Sequence, residues 1–151
     1  MILTIDMKKT CRYAFILDKD EFVRLSLNRI LQKYGFQVEE VDDFSQLRDR
    51  RKEIDQGLVL ADVEMDMLEK GISLLKKSMD RFVLMSPQIT DELKLRLKKM
   101  GVHRMIKKPV EPGILKKVIR EICPAQEACY FSQGGGREKG CRSIQKGGES
   151  T

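Results

Sequence analysis

Short apolar runs that end on a polar residue recur along the chain, and between them apolar residues fall at helical spacing. Tyr13-Ala-Phe-Ile-Leu17 closes on Asp18, and Gly57-Leu-Val-Leu-Ala61 closes on Asp62. Arg81–Ser86 carries the run Phe82-Val-Leu-Met85 and ends on Ser86. Runs this short and this apolar predict central strands covered on both faces. Phe36–Val41 and Val102–Ile106 complete a set of strands, the last followed by Lys108-Pro109. Val23, Leu27, Ile30, Leu31 and Tyr34 share one face of a helix over 20–34, which Gly35 stops. Asp43 heads a polar helix over Phe44–Ile54 with a weak apolar face of Phe44, Leu47 and Ile54. A loop is expected from Asp62 to Gly71, and then a helix from Ile72 to Met79. Thr90 caps the next helix, with Leu93, Leu97 and Met100 inward, Lys94, Arg96, Lys98 and Lys99 outward, and Gly101 at its end. Val110, Ile114, Val118, Ile119 and Ile122 line a final helix, whose Lys116, Lys117 and Arg120 suit the negative end of its dipole.

Strands alternating with helices predict an α/β fold, a doubly wound five-stranded parallel sheet. Residues 12–122 form this domain, residues 1–11 an N-terminal extension, and residues 123–151 a flexible Gly-rich tail or linker. Pro124 breaks the last helix, and Gln133-Gly-Gly-Gly136 and Gly147-Gly148 offer nothing to bury. A chain of 151 residues that is 41% hydrophobic and 34% charged can build one core and is not disordered throughout. No apolar run approaches the roughly 18–20 residues of a membrane span. The start, with Asp6 and no apolar stretch, is not a secretory signal. The net charge of +6 favours acidic partners. With no Trp and only 6% aromatics there is no platform for stacking bases, so direct nucleic-acid binding is not expected. Cys11, Cys123, Cys129 and Cys141 contain no C-x-x-C pair, and His103 is the only histidine. That spacing argues against zinc and for free thiols in a reducing cytoplasm.

In an open α/β sheet, ligands bind beyond the carboxyl ends of the strands. Asp18, Asp62, Ser86 and Lys108 each follow or end a predicted strand, so two carboxylates, a hydroxyl and an ammonium would share one rim. Carboxylates can hold Mg²⁺, and one of them can attack phosphorus to give an aspartyl phosphate. The metal and the lysine would offset the charge on the phosphoryl oxygens.

Four segments in this order resemble the receiver domain of two-component response regulators. They are Ile16-Leu-Asp-Lys-Asp-Glu-Phe-Val-Arg24, Leu58-Val-Leu-Ala-Asp-Val-Glu-Met65, Val83-Leu-Met-Ser86 and Gly101-Val-His-Arg-Met-Ile-Lys-Lys-Pro109. The resemblance spans about residues 12–122. It implies a flavodoxin-like sheet of order 2-1-3-4-5, an order the general rule for such folds also cites for a chemotaxis receiver. It implies Asp62 as phosphoacceptor, Asp18 as a metal-pocket acid, Ser86 as the switch hydroxyl and Lys108 as the phosphate-contacting lysine. It also implies a Lys108-Pro109 bond that is often cis. The implied role is phosphorelay signalling in the cytoplasm, with a histidine kinase or histidine phosphotransfer protein as donor and Mg²⁺ as cofactor. No enzymatic activity is implied beyond self-phosphorylation of Asp62 from a phosphodonor. A homodimer through helix 4, strand 5 and helix 5 is a further implied partner.

The departures from the family pattern concern the pocket. Lys19 stands where the family has a second acid that ligates Mg²⁺, which weakens or removes metal binding and allows an ion pair with Asp62. Asp20 lies one residue further on and could substitute. Pro87, after the switch hydroxyl, lacks the N–H that would bond a phosphoryl oxygen. Met105 replaces the aromatic switch residue. Glu64 and Asp66 add negative charge beside the pocket, leaving Asp18, Asp62 and Glu64 as candidate metal ligands. Two functions stay open: a receiver phosphorylated on Asp62, and a degenerate receiver that binds proteins without phosphorylation. A flavin carrier on this architecture needs a Ser/Thr/Gly-rich phosphate loop where this chain has Asp18-Lys-Asp-Glu21.

Overall fold

Alternation along each strand divides the core into two layers. The computed structural model describes residues 11–124. Strands β1 (Tyr13–Leu17), β2 (Gln37–Val41), β3 (Gly57–Ala61), β4 (Phe82–Ser86) and β5 (Arg104–Lys107) form one parallel sheet in the order β2-β1-β3-β4-β5. Successive side chains point to opposite faces. Ala14, Ile16, Leu58, Leu60, Val83 and Met85 therefore share one layer with Leu27 and Leu31 of helix α1 (Glu21–Lys33) and Leu115 and Ile119 of helix α5 (Pro112–Ile122). Phe15, Leu17, Val59, Ala61, Phe82 and Leu84 face the other layer, with Phe44, Leu47, Ile54, Leu68, Leu75 and Leu97. The doubly wound sheet and its strand order are as the resemblance implies.

Local chemistry sets the helix ends. The Asp20 carboxylate accepts the N–H groups of Phe22 and Val23 and starts α1. Thr90 does the same from Leu93 for helix α4 (Asp91–Met100), and Gly101, at φ 92°, turns the chain out of it. Val102 then donates its N–H to the Leu97 carbonyl and is buried. That backbone bond spends Val102 on closing the helix, so β5 begins at Arg104 rather than at 102.

The polar stretch after β2 differs from one continuous α-helix. It is a 3-10 helix over Phe44–Arg50 followed by the short helix α2 (Arg51–Ile54). Phe44 and Leu47 are three residues apart, which suits three residues per turn. The next region also departs from the pattern reading. Helix α3 (Met65–Gly71) occupies most of the expected loop, and a 3-10 stretch over Ile72–Arg81, kinked at Ser78 (φ −117°, ψ 17°), replaces the expected α-helix. Its buried positions are Leu75 and, at the kink, Ser78.

Arg81 pins that second 3-10 helix to the turn before β3. Its Nε donates to the Gly57 carbonyl at 2.9 Å, and its Nη2 donates to the Asp55 carbonyl at 2.7 Å and to Ser78 Oγ at 3.3 Å. Ser78, itself buried, donates to the Ile54 carbonyl. Arg81→Ala is expected to cost about 2 kcal/mol, because charge-assisted bonds are lost and two carbonyls and a hydroxyl lose a donor. Urea denaturation should show a lower midpoint with an unchanged slope.

The cysteine expectation is corrected. Cys11 and Cys123 form a disulfide, with Cα atoms 5.8 Å apart and both residues buried. Helices run back against the strands, so the end of α5 returns to the start of β1. Both residues belong to the core layer under α1 and α5, one residue beyond each expected domain boundary. Cys129, Cys141, most of the expected tail and residues 1–10 lie outside the described residues.

Candidate functional site

Register brings the first two acids together. Leu17 pairs with Ala61 across β1 and β3, so Asp18 and Asp62 leave the same edge of the sheet side by side. The Asp62 N–H donates to the Leu17 carbonyl at 2.8 Å, continuing the ladder one step. On the other side, Ser86 pairs with Lys107, and the Lys108 N–H donates to the Ser86 carbonyl. The Lys108-Pro109 peptide bond is cis.

The Lys108 side chain reaches both acids. Its Nζ lies 2.8 Å from Asp18 Oδ2 and 2.6 Å from Asp62 Oδ2. The Asp18 side chain is 3% exposed, that of Lys108 14% and that of Asp62 28%, so the buried acid is the more dependent on this cation. Burial alone would lower the Lys108 pKa. Hydrogen bonds from the ammonium to Asp18 and Asp62, helped by their charges, outweigh it and hold the group above its ordinary value. Asp18 Oδ1 accepts the Asp20 N–H at 2.8 Å, which leaves this carboxylate bonded at both oxygens.

An open cleft of about 460 Å³ lies beside this cluster. Asp18, Lys19, Arg24, Asp42, Asp62 and Glu64 contribute to its walls. Arg24 donates from Nη1 to the Asp18 carbonyl at 2.6 Å and pairs through Nε with Glu40. Arg24 and Asp42 are additions to the sequence-derived set. Asp42 follows β2 as Asp18 follows β1, so the strand-end rule applied to the second strand would have found it. Arg24 follows the Asp20 cap by four residues, one helical turn along α1.

The remaining candidates separate. Lys19 lines the cleft, but the cation paired with Asp62 is Lys108, and no ion pair of Lys19 occurs among the described residues. Glu64 lines the cleft and is exposed. Asp20 is occupied as the α1 cap. Ser86 Oγ donates to the Gln88 carbonyl at 2.9 Å and accepts the Gln88 N–H, so its hydroxyl is engaged in the turn containing Pro87. Met105 is opposite Leu84 in register and packs half-buried on the α4 side of the sheet.

Magnesium, which the receiver resemblance implies, does not fit this donor set. Mg²⁺ takes carboxylate and water oxygens in a strict octahedron. Here a lysine ammonium sits between Asp18 and Asp62, Lys19 stands at the position of the missing acid, and Asp20 is committed to a helix cap. Among the described residues no three acidic, histidine or cysteine side chains gather as a metal site.

Comparison with known proteins agrees with this architecture. The model of the response regulator receiver domain matches residues 14–120. The chain is 28% identical over 130 residues to the transcriptional regulatory protein FixJ of Bradyrhizobium diazoefficiens, covering 80% of this chain and 63% of that protein. It therefore spans less than two thirds of that relative's length. Chemotaxis protein CheY4 of Vibrio cholerae superposes with a TM-score of 0.63 at 17% identity, over 75% of this chain and 99% of that one. A co-crystal structure of the Saccharomyces cerevisiae histidine phosphotransfer protein Ypd1 with the receiver domain of the response regulator Ssk1 gives 0.63 at 14% identity, over 78% and 92%.

Proposed function

The chain belongs to the receiver domain family of response regulators, and from that premise we propose that it works as a degenerate receiver, docking proteins of a two-component pathway without a phosphorylation step. The observation that carries this reading is the use of Asp20. The acid that could stand in for the one replaced by Lys19 is spent on starting α1. The pocket then holds its cation covalently, as the Lys108 ammonium across Asp18 and Asp62. Pro87 offers no N–H to a phosphoryl group, and the Ser86 hydroxyl already has partners. The proposal includes a cytoplasmic setting and no catalysis. Among the described residues no helix is long and apolar enough to cross a membrane.

The partner in this reading is a histidine kinase or a histidine phosphotransfer protein, the class that Ypd1 represents for Ssk1. Exposed Leu95 sits on α4 among exposed Lys94, Arg96, Lys98 and Lys99, which gives that face an apolar centre with a basic surround. Such a surface suits an acidic partner. A second copy of the chain, meeting through α4, β5 and α5, is the other occupant this reading allows.

Beryllofluoride with millimolar Mg²⁺ tests the proposal. Amide NMR signals of Asp62, Val63 and Ser86 in the full chain are expected to stay in place, and the melting temperature to stay unchanged. A saturable shift that Asp62→Asn abolishes would instead support the phosphorylated receiver, with Asp62 as acceptor and Mg²⁺ held by Asp18, Asp62 and Glu64.

A further inference from the structure

Cys11 and Cys123 take no part in the pocket, yet they occupy a mechanically informative place. Cys11 lies two residues before β1, and Cys123 closes α5, its N–H donating to the Ile119 carbonyl at 2.7 Å. They are 112 residues apart in sequence, so the bond between them encloses nearly the whole described domain. Both side chains lie in the core layer that also holds Leu31 and Ile119. We propose that Cys11 and Cys123 are a reversible thiol–disulfide pair whose oxidation latches the end of α5 to the segment leading into β1.

Two features make the latch reversible rather than permanent. First, Cys123 is the C-cap of α5, and the ends of helices are where local opening is least costly. Arg120 and Glu121 in that turn are exposed and Ile122 is only partly buried. Fraying one turn gives a small thiol access without unfolding the sheet. Secondly, the Cα separation of 5.8 Å lies within the usual bridged range, and the Arg12 N–H, bonded to the Gln56 carbonyl, keeps the chain beside Cys11 on the sheet. The reduced pair thus stays poised to close again.

The chemistry needs only a low-molecular-weight disulfide as oxidant. One cysteine thiolate attacks glutathione disulfide, forms a mixed disulfide and releases one glutathione thiolate. The second cysteine thiolate then attacks the protein sulfur of that mixed disulfide, forms the Cys11–Cys123 bond and releases the other glutathione. Two electrons and two protons leave the protein, and one glutathione disulfide becomes two thiols. This inference goes beyond the pocket reading and does not rest on it.

The test uses the full chain carrying Cys129→Ser and Cys141→Ser, equilibrated across glutathione ratios and quenched with an alkylating agent for mass analysis. The Cys11–Cys123 pair is expected to pass from reduced to oxidised within that range. The oxidised form should melt roughly 5–10 °C higher, because a closed loop of this length restricts the unfolded chain. Its Ile119–Cys123 amides should exchange at least about tenfold more slowly. Cys11→Ser should remove both redox dependences. A pair that stays wholly reduced or wholly oxidised across the range overturns the proposal, as do two forms with equal melting and equal exchange.

Discussion

Lys108→Met is expected to destabilise the domain by about 3 kcal/mol at neutral pH, the low end of the range for leaving buried carboxylates without their cation. Asp18 is nearly sealed from water, and Asp62 stands beside it. Removing the ammonium leaves two like charges facing each other across the gap it filled. Adding Asp18→Asn and Asp62→Asn to Lys108→Met should recover most of the loss, since amides need no counter-ion. A triple variant no more stable than Lys108→Met would show that the lysine acts through packing instead. Alkaline pH provides an independent check. The Lys108 pKa is raised on folding, so its contribution is complete below the ordinary lysine value of 10.5 and disappears as pH rises through the higher folded value. Chemical denaturation at neutral and strongly alkaline pH should therefore show wild type and Lys108→Met converging only at the alkaline end.

Gly71→Ala should cost about 3 kcal/mol by overpacking. A Cβ at this position would fall against Phe44 Cδ2 and 2.5 Å from Phe44 Cγ, far inside contact distance. The Phe44 ring cannot retreat freely, because it is buried and its centroid lies 6.5 Å from that of Phe82. Phe44→Ala removes the two ring atoms that lie nearest but keeps the Phe44 Cβ, 2.9 Å from the added one, while opening a cavity of its own. The double variant should be more stable than the sum of the two single losses predicts, by at least about 1 kcal/mol. Strict additivity in urea denaturation would mean that Gly71 is needed for another reason.

The same contact explains why α3 was hidden in the pattern. Met65-Asp-Met-Leu-Glu-Lys-Gly71 has mixed polarity, and its glycine reads as a loop residue. In the fold, Gly71 is small because Phe44, distant in sequence, presses on it. The two 3-10 stretches escape the hydrophobic pattern for a related reason. Phe44 and Leu47 follow a step of three, which α-helical spacing shows only as a weak face, and Ile72, Leu75 and Met79 fit α-helical spacing although the chain kinks at Ser78. The strands were easier, because an uncharged five-residue run such as Gly57–Ala61 has few other places to go than the middle of a sheet.

The site divides along the same line. Asp18, Asp62 and Lys108 could be named from their positions after strands, and register alone brings them to one rim. Their pairing could not. Which cation meets Asp62, whether Asp20 faces the pocket or caps α1, and whether Ser86 is free or bonded to Gln88 are choices among partners within a few ångströms. Spacing along the chain does not distinguish those partners.

Hydrophobic patterning by itself determined the alternation of strands and helices, the two-sided sheet and the edge at which polar residues collect, because burial acts residue by residue and leaves its period in the chain. Tertiary structure alone decided the Lys108 bridge, the Gly71 contact and the joining of Cys11 to Cys123. Each of these depends on a distance between elements far apart in sequence, and such distances exist only once the sheet has brought those elements together.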